Sequence, residues 1–159
     1  MTLDEFAAQF QTDLRVNANA CEAGTFLEDA FTQAMGAWLA EAAETGDLVV
    51  CNYHSRGMKV NAYCLGDDDD ALDLFVVKYS GTVPPPHVTR TEIDTAFRQL
   101  QNVFLECVQG KLHSRLEMAD PVYDMAETVE KLGQSLHTLR LFLLTDGQAA
   151  LETLPDEDI

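Results

Sequence analysis

The chain has 159 residues, with 27 Asp and Glu against 10 Lys and Arg, a formal net charge of -17 and a pI of about 4.3. That deficit of cations disfavours direct binding of nucleic acid or of an anionic membrane, which rests on Lys and Arg displacing counterions from phosphates. With 47% hydrophobic residues and a mean hydropathy of -0.10 the composition is that of one folded domain, and no segment approaches the roughly 20 apolar residues that cross a bilayer.

The start, Met1-Thr2-Leu3-Asp4-Glu5, is acidic where a secretory signal would be basic and then apolar, so a cytoplasmic location is expected. Leu3, Phe6, Ala7 and Phe10 recur at helical spacing and predict a short amphipathic helix before an irregular stretch around residues 15–19. Thr25-Phe26-Leu27-Glu28 reads as a capping box, the hydroxyl accepting a first-turn N–H and the glutamate reaching back. A longer helix follows, with Leu27, Phe31, Met35 and Trp38 on one stripe, and should end near Gly46. Trp38 and the phenylalanines fall at core spacing.

From Asp47 the period changes. Leu48–Tyr53 and Met58–Leu65 predict two strands joined through a turn at Ser55-Arg56-Gly57, and Leu72–Tyr79 a third, apolar on both faces in its middle as a central strand is. Three strands in succession imply an antiparallel meander. Asp67 to Asp70 lie between the second and third strands and read as a solvated hairpin tip, since the alternating ligands and terminal glutamate of a calcium loop are absent. Pro84-Pro85-Pro86 breaks the sheet. A second capping box, Thr89 to Glu92, opens a long helix that stops near Gly110; Asp120-Pro121 opens another that runs to about Gly133. Leu139–Leu144 closes the series as a strand, followed by an acidic tail over 148–159. Strands and long helices in this order argue an α/β sandwich around a mixed sheet, the last strand placed by the long crossover.

Cys21, Cys51, Cys64 and Cys107 are 30, 13 and 43 positions apart, and His54, His87, His113 and His137 are equally scattered. Neither set has the spacing of a zinc site, so free thiols without a metal or redox role are expected. Arg56, Lys59, Arg90 and Arg98 are too diluted by acids to form a phosphate-binding surface. Tyr63 and Tyr79 read as edge packing or cleft lining.

An α-β-β-β-α-β core flanked by helices is the arrangement of restriction-endonuclease-like nucleases. The runs Phe26-Leu27-Glu28-Asp29-Ala30-Phe31, Gly57-Met58-Lys59-Val60-Asn61-Ala62-Tyr63, Leu72-Asp73-Leu74-Phe75-Val76-Val77-Lys78-Tyr79 and Leu139-Arg140-Leu141-Phe142-Leu143-Leu144-Thr145-Asp146 resemble the N-terminal region of the abortive-infection phage-resistance family, prokaryotic defence proteins considerably longer than this chain. The resemblance spans about residues 20 to 147 and implies one nuclease-like α/β domain over 1–147. Nuclease sites of that core combine a helix carboxylate, a second-strand carboxylate and an acid-x-lysine pair on the third strand. Here Glu28 matches the first and Lys78 the lysine, but Asn61 and Val76 stand where the two other acids belong. Magnesium requires hard oxygen ligands; asparagine brings no charge and valine no ligand. Asp73, an odd number of residues from Lys78, should face the other way.

The expectation is therefore a catalytically degenerate nuclease-like domain that needs no cofactor and binds a protein, such as a nucleic-acid-binding protein or another defence subunit. Glu28, Lys78 and Asn61 are the remnant of its site. Glu28 is also fully explained as a capping residue, and Lys78 as an amine extended into water from a buried stem or paired with Glu28. Two alternatives stay open: a magnesium-dependent nuclease completed by another segment or subunit, and an oligomeric adaptor or chaperone-like protein that associates through its amphipathic helices.

Overall fold

A short two-residue connection at Arg56-Gly57, with Gly57 at φ 74°, folds β1 (Val49–Ser55) back on β2 (Met58–Leu65). β2 runs antiparallel to β3 (Ala71–Lys78), across the exposed Asp67 to Asp70 tip. The structure is a computed structural model describing residues 1–20 and 27–149. Two helices precede the sheet, α1 (Leu3–Ala20) and α2 (Leu27–Glu41). After β3 come α3 (Arg90–Val108), α4 (Lys111–Arg115) and α5 (Tyr123–Leu132), a crossover long enough to lay β4 (Thr138–Thr145) parallel to β3. The sheet order is β1-β2-β3-β4, with β3 buried along six consecutive residues, as its apolar run demands.

The pleat sends alternate residues to two cores. Leu72, Leu74 and Val76 pack with Leu100, Val103 and Met125 under α3 and α5. Phe75 and Val77 pack on the opposite face with Leu14 and Phe31 from α1 and α2. The result is a sheet with helices on both faces. Among the described residues no helix is long and apolar enough to cross a membrane.

Three element boundaries differ from the sequence reading. α1 continues through the stretch expected to be irregular, because Leu14, one turn beyond Phe10, is buried against α2 and that packing overrides the weak helix formers after it. α2 stops before Gly46: Glu44 N–H bonds the Leu39 carbonyl at 2.9 Å and Ala43 N–H that of Ala40 at 3.0 Å, a Schellman cap with Ala43 at φ 57° in the left-handed position. Alanine there is worse than glycine by about 1–2 kcal/mol, and the unfolded-chain freedom of glycine returns about 0.5–1 kcal/mol. Ala43→Gly is therefore expected to raise stability by about 0.5 kcal/mol, read from the urea midpoint. α5 begins after Pro121: the Asp120 carboxylate accepts Glu117 N–H at 2.7 Å and its carbonyl takes Tyr123 N–H at 3.0 Å, closing a turn ahead of the helix. Trp38 is half exposed, as is Phe6, so the stripe that carries them is not all core.

The Thr89 half of the second capping box is as read, its hydroxyl accepting Glu92 N–H at 3.2 Å, while the Glu92 carboxylate lies toward Lys78. Gln148, assigned to the tail from the sequence, exchanges backbone bonds with Pro86 and Val88, both at 2.8 Å. Thr25 of the first capping box, Cys21 and residues 150–159 lie outside the described residues.

Candidate functional site

The sheet opens at one end, and the residues that open it are polar. From Leu65↔Leu72 to Ala62↔Phe75, β2 and β3 pair regularly. Then the alternation of β2 breaks. Val60 belongs to the core under α3, but Ala62, two residues on, belongs to the core under α2. β1 carries the matching irregularity: Val50 pairs with Ala62 and Tyr53 with Val60, so Cys51 and Asn52 together oppose Asn61, a bulge. Beyond it the backbone of Val77 is served by side chains. Asn61 Oδ1 accepts its N–H at 2.8 Å, and Lys59 Nζ donates to its carbonyl at 2.9 Å.

A cleft of about 380 Å³ occupies the space where the strands part, lined by Glu28, Lys59, Val76, Lys78, Tyr79 and Glu92 among others. Glu28 enters from the first turn of α2, with Oε1 3.2 Å from Lys59 Nζ and accepting Asn61 Nδ2 at 2.6 Å. The same Nδ2 donates to Asn52 Oδ1 at 3.1 Å, and Asn52 in turn donates to Asp29. Burial, and secondly the neighbouring Glu28 charge, push the Asp29 carboxyl above its usual range.

The orientation of Asn61 follows from chemistry. Val77 N–H needs an acceptor, so the amide oxygen turns to it and the NH₂ faces Glu28. Asn61, read from the sequence as standing where such a nuclease would carry an acid, thus presents a donor to the cleft carboxylate. Val76, buried in the α3 core, offers only methyl groups to the same cleft. Lys78 does not pair with Glu28; its ammonium lies 3.6 Å from Glu92 of α3 and is about half exposed. Lys59 fills that role instead. Sequence reasoning passed over Lys59, although Lys59 and Asn61, two apart on one strand, share a face, and that spacing was the available signal.

Asp73 faces away, as its spacing requires, and is held by Arg140 on β4 through Nε and a terminal nitrogen, both at 2.7 Å. Cys51, Cys64 and Cys107 are buried free thiols. Burial, then the charge of Glu106, pushes Cys107 up to about 12, and burial likewise raises Cys51, so neither supplies a thiolate at neutral pH. Among the described residues no group of three or more His, Cys, Asp or Glu side chains is placed to hold a metal ion. The cluster is a self-satisfied network: each anion in the cleft faces a cation or amide of the chain itself.

Residues 31–159 match the family model of the abortive infection phage resistance protein N-terminal domain. Asn52, Lys59, Asn61, Val76, Lys78 and Glu92 lie inside the match, and Glu28 and Asp29 just before it. No curated protein and no solved structure matches the chain.

Proposed function

The chain belongs to the family of abortive infection phage resistance protein N-terminal domains, and from that premise we propose that it serves phage defence as a nuclease-like domain that no longer hydrolyses nucleic acid and instead binds a protein. The order of a helix, three antiparallel strands, a helical crossover and a parallel fourth strand supports kinship with restriction-endonuclease-like cores. The observation that carries the loss of hydrolysis is the arrangement around Glu28. Its carboxylate is taken by Lys59 and by the Asn61 amide, with methyl groups across the cleft. A divalent ion entering there would have to displace an ammonium and a hydrogen-bond donor to reach a single hard ligand. The net charge of -17 argues for a basic protein partner, whose approach it would accelerate.

A metal-dependent nuclease completed by another segment or subunit is the second reading, favoured by one observation: Glu92 lines the same cleft as Glu28, each with a lysine beside it, Lys78 and Lys59. Incubation of the purified chain with Mg²⁺ or Mn²⁺ and single- and double-stranded DNA and RNA separates the two. No cleavage is expected. Cleavage that disappears in Glu28→Ala and in Lys59→Ala would overturn the proposal.

A further inference from the structure

A second concavity, of about 210 Å³, lies between α1 and α2, the segment after β3 and the end of β4, and shares no lining residue with the cleft. Its walls are Leu3, Phe6 and Phe10 of α1, Met35 and Trp38 of α2, and Pro85, over a floor of fully buried Phe31. Phe6 stacks on Phe10 with centroids 6.2 Å apart, and Phe10 tilts against Trp38 at 5.3 Å. Three of the largest groups lining the concavity stay in water: Leu3 is 57% exposed, Phe6 47% and Trp38 46%. The two helices that carry them are mostly acidic. α1 and α2 together hold Asp4, Glu5, Asp13, Glu28, Asp29 and Glu41 against the lone Arg15, and Asp4, Glu5, Asp13 and Glu41 are exposed.

We infer that this groove is the docking site for a basic amphipathic helix of a partner protein, an inference that rests on the protein-binding reading above and names the partner's chemistry. Apolar side chains at i, i+3, i+4 and i+7 suit a groove lined by two helices, and Lys or Arg beside them complements the acidic residues of α1 and α2. A second copy fits worse, because two chains of net charge -17 repel each other. The tail of this chain, with Glu152, Asp156, Glu157 and Asp158, fits worse for the same reason.

Trp38 is the one tryptophan of the chain, so its fluorescence reads the groove directly. The probe is a tryptophan-free peptide of about 18 residues, Leu and Phe at i, i+3, i+4, i+7 and Lys elsewhere, long enough for five helical turns. It is compared with a Glu-for-Lys counterpart and with a scrambled peptide of identical composition. The expected result is a saturable blue shift with the Lys helix, with affinity about tenfold weaker for the scrambled peptide and for the Phe6→Gln and Leu3→Gln chains. Both substitutions are at exposed positions, and thermal melts confirm that the variants fold.

Four results overturn the inference: equal binding of the scrambled peptide, which is charge attraction alone; no blue shift; a blue shift without peptide that tracks dimer formation in sedimentation; or a response gained only on deleting residues 150–159. Nucleic-acid cleavage would remove the non-hydrolytic reading without moving the Trp38 signal, so the two failures are distinguishable.

Discussion

Alanine in place of Asn61 is expected to lower stability by about 3 kcal/mol, measured by urea unfolding. The residue is 1% exposed and makes three hydrogen bonds, from Val77 N–H and to Glu28 and Asn52. Glu28 borders the cleft and water can replace its lost donor. Val77 N–H is buried and has no ladder partner to return to, so it bears the penalty of an orphaned donor, about 1–3 kcal/mol; the lost Asn52 contact and a small cavity add the rest. Asn61→Asp separates backbone support from charge. The carboxylate can still accept Val77 N–H, but its other oxygen meets Glu28, with Lys59 3.2 Å from Glu28 as the nearest compensation. Like-charge contact raises the pKa of the introduced group above its unfolded value. Stability is then retained below the ordinary carboxylate pKa of about 4 and lost as pH rises through the raised value. The variant should approach the parent at about pH 4 and trail it by about 2 kcal/mol at pH 7. Millimolar Mn²⁺ is expected to narrow the gap, because two carboxylates then share a hard cation that binds only the folded chain. A deficit indifferent to both pH and Mn²⁺ would mean that Asn61 fills space and nothing more.

What the sequence made legible was local. Alternation and turn chemistry are enough for the meander, the exposed Asp67 to Asp70 tip and the Thr89 cap, and parity alone placed Asp73 and Lys78 on opposite faces. The site depended on what is not local. The bulge that opposes Cys51 and Asn52 to Asn61 arises from pairing between strands, and only after it forms do Lys59 and Asn61 take over the backbone of Val77. Their meeting with Glu28 further requires α2 to dock with its first turn over that end of the sheet. Helical periodicity likewise marked Phe6 and Trp38 as apolar-face residues, but it cannot tell a stripe that is covered from one that borders a groove. The end of α2 was misplaced because the chain uses an alanine where the energetics favour glycine.

Truncating Arg140 to alanine should have the other large effect, about 2–3 kcal/mol of destabilisation. Arg140 and Asp73 are direct partners across the parallel β3–β4 pair, joined by two hydrogen bonds of 2.7 Å in a fork that only guanidinium and carboxylate can make. The two ends differ in environment: the Asp73 side chain is 9% exposed and that of Arg140 48%. Without the arginine a carboxylate remains under the α2 layer with no compensating charge, which in a wholly buried pair would cost about 3–5 kcal/mol; water entering where the half-exposed arginine lay reduces that. Without the aspartate, by contrast, the guanidinium can turn to solvent, still touching the Glu44 carbonyl and the Phe142 ring 5.2 Å away. Asp73→Ala should therefore be milder than Arg140→Ala. The double variant Asp73→Leu/Arg140→Leu should lie within about 1 kcal/mol of the parent, since an apolar pair of similar volume needs no charge compensation. Urea unfolding of the parent, Asp73→Ala, Arg140→Ala and the Asp73→Ala/Arg140→Ala double variant tests the cycle, with the leucine pair measured beside them. If the two single variants lose equally and their losses add, the pair is a surface contact and the sheet is not anchored through it.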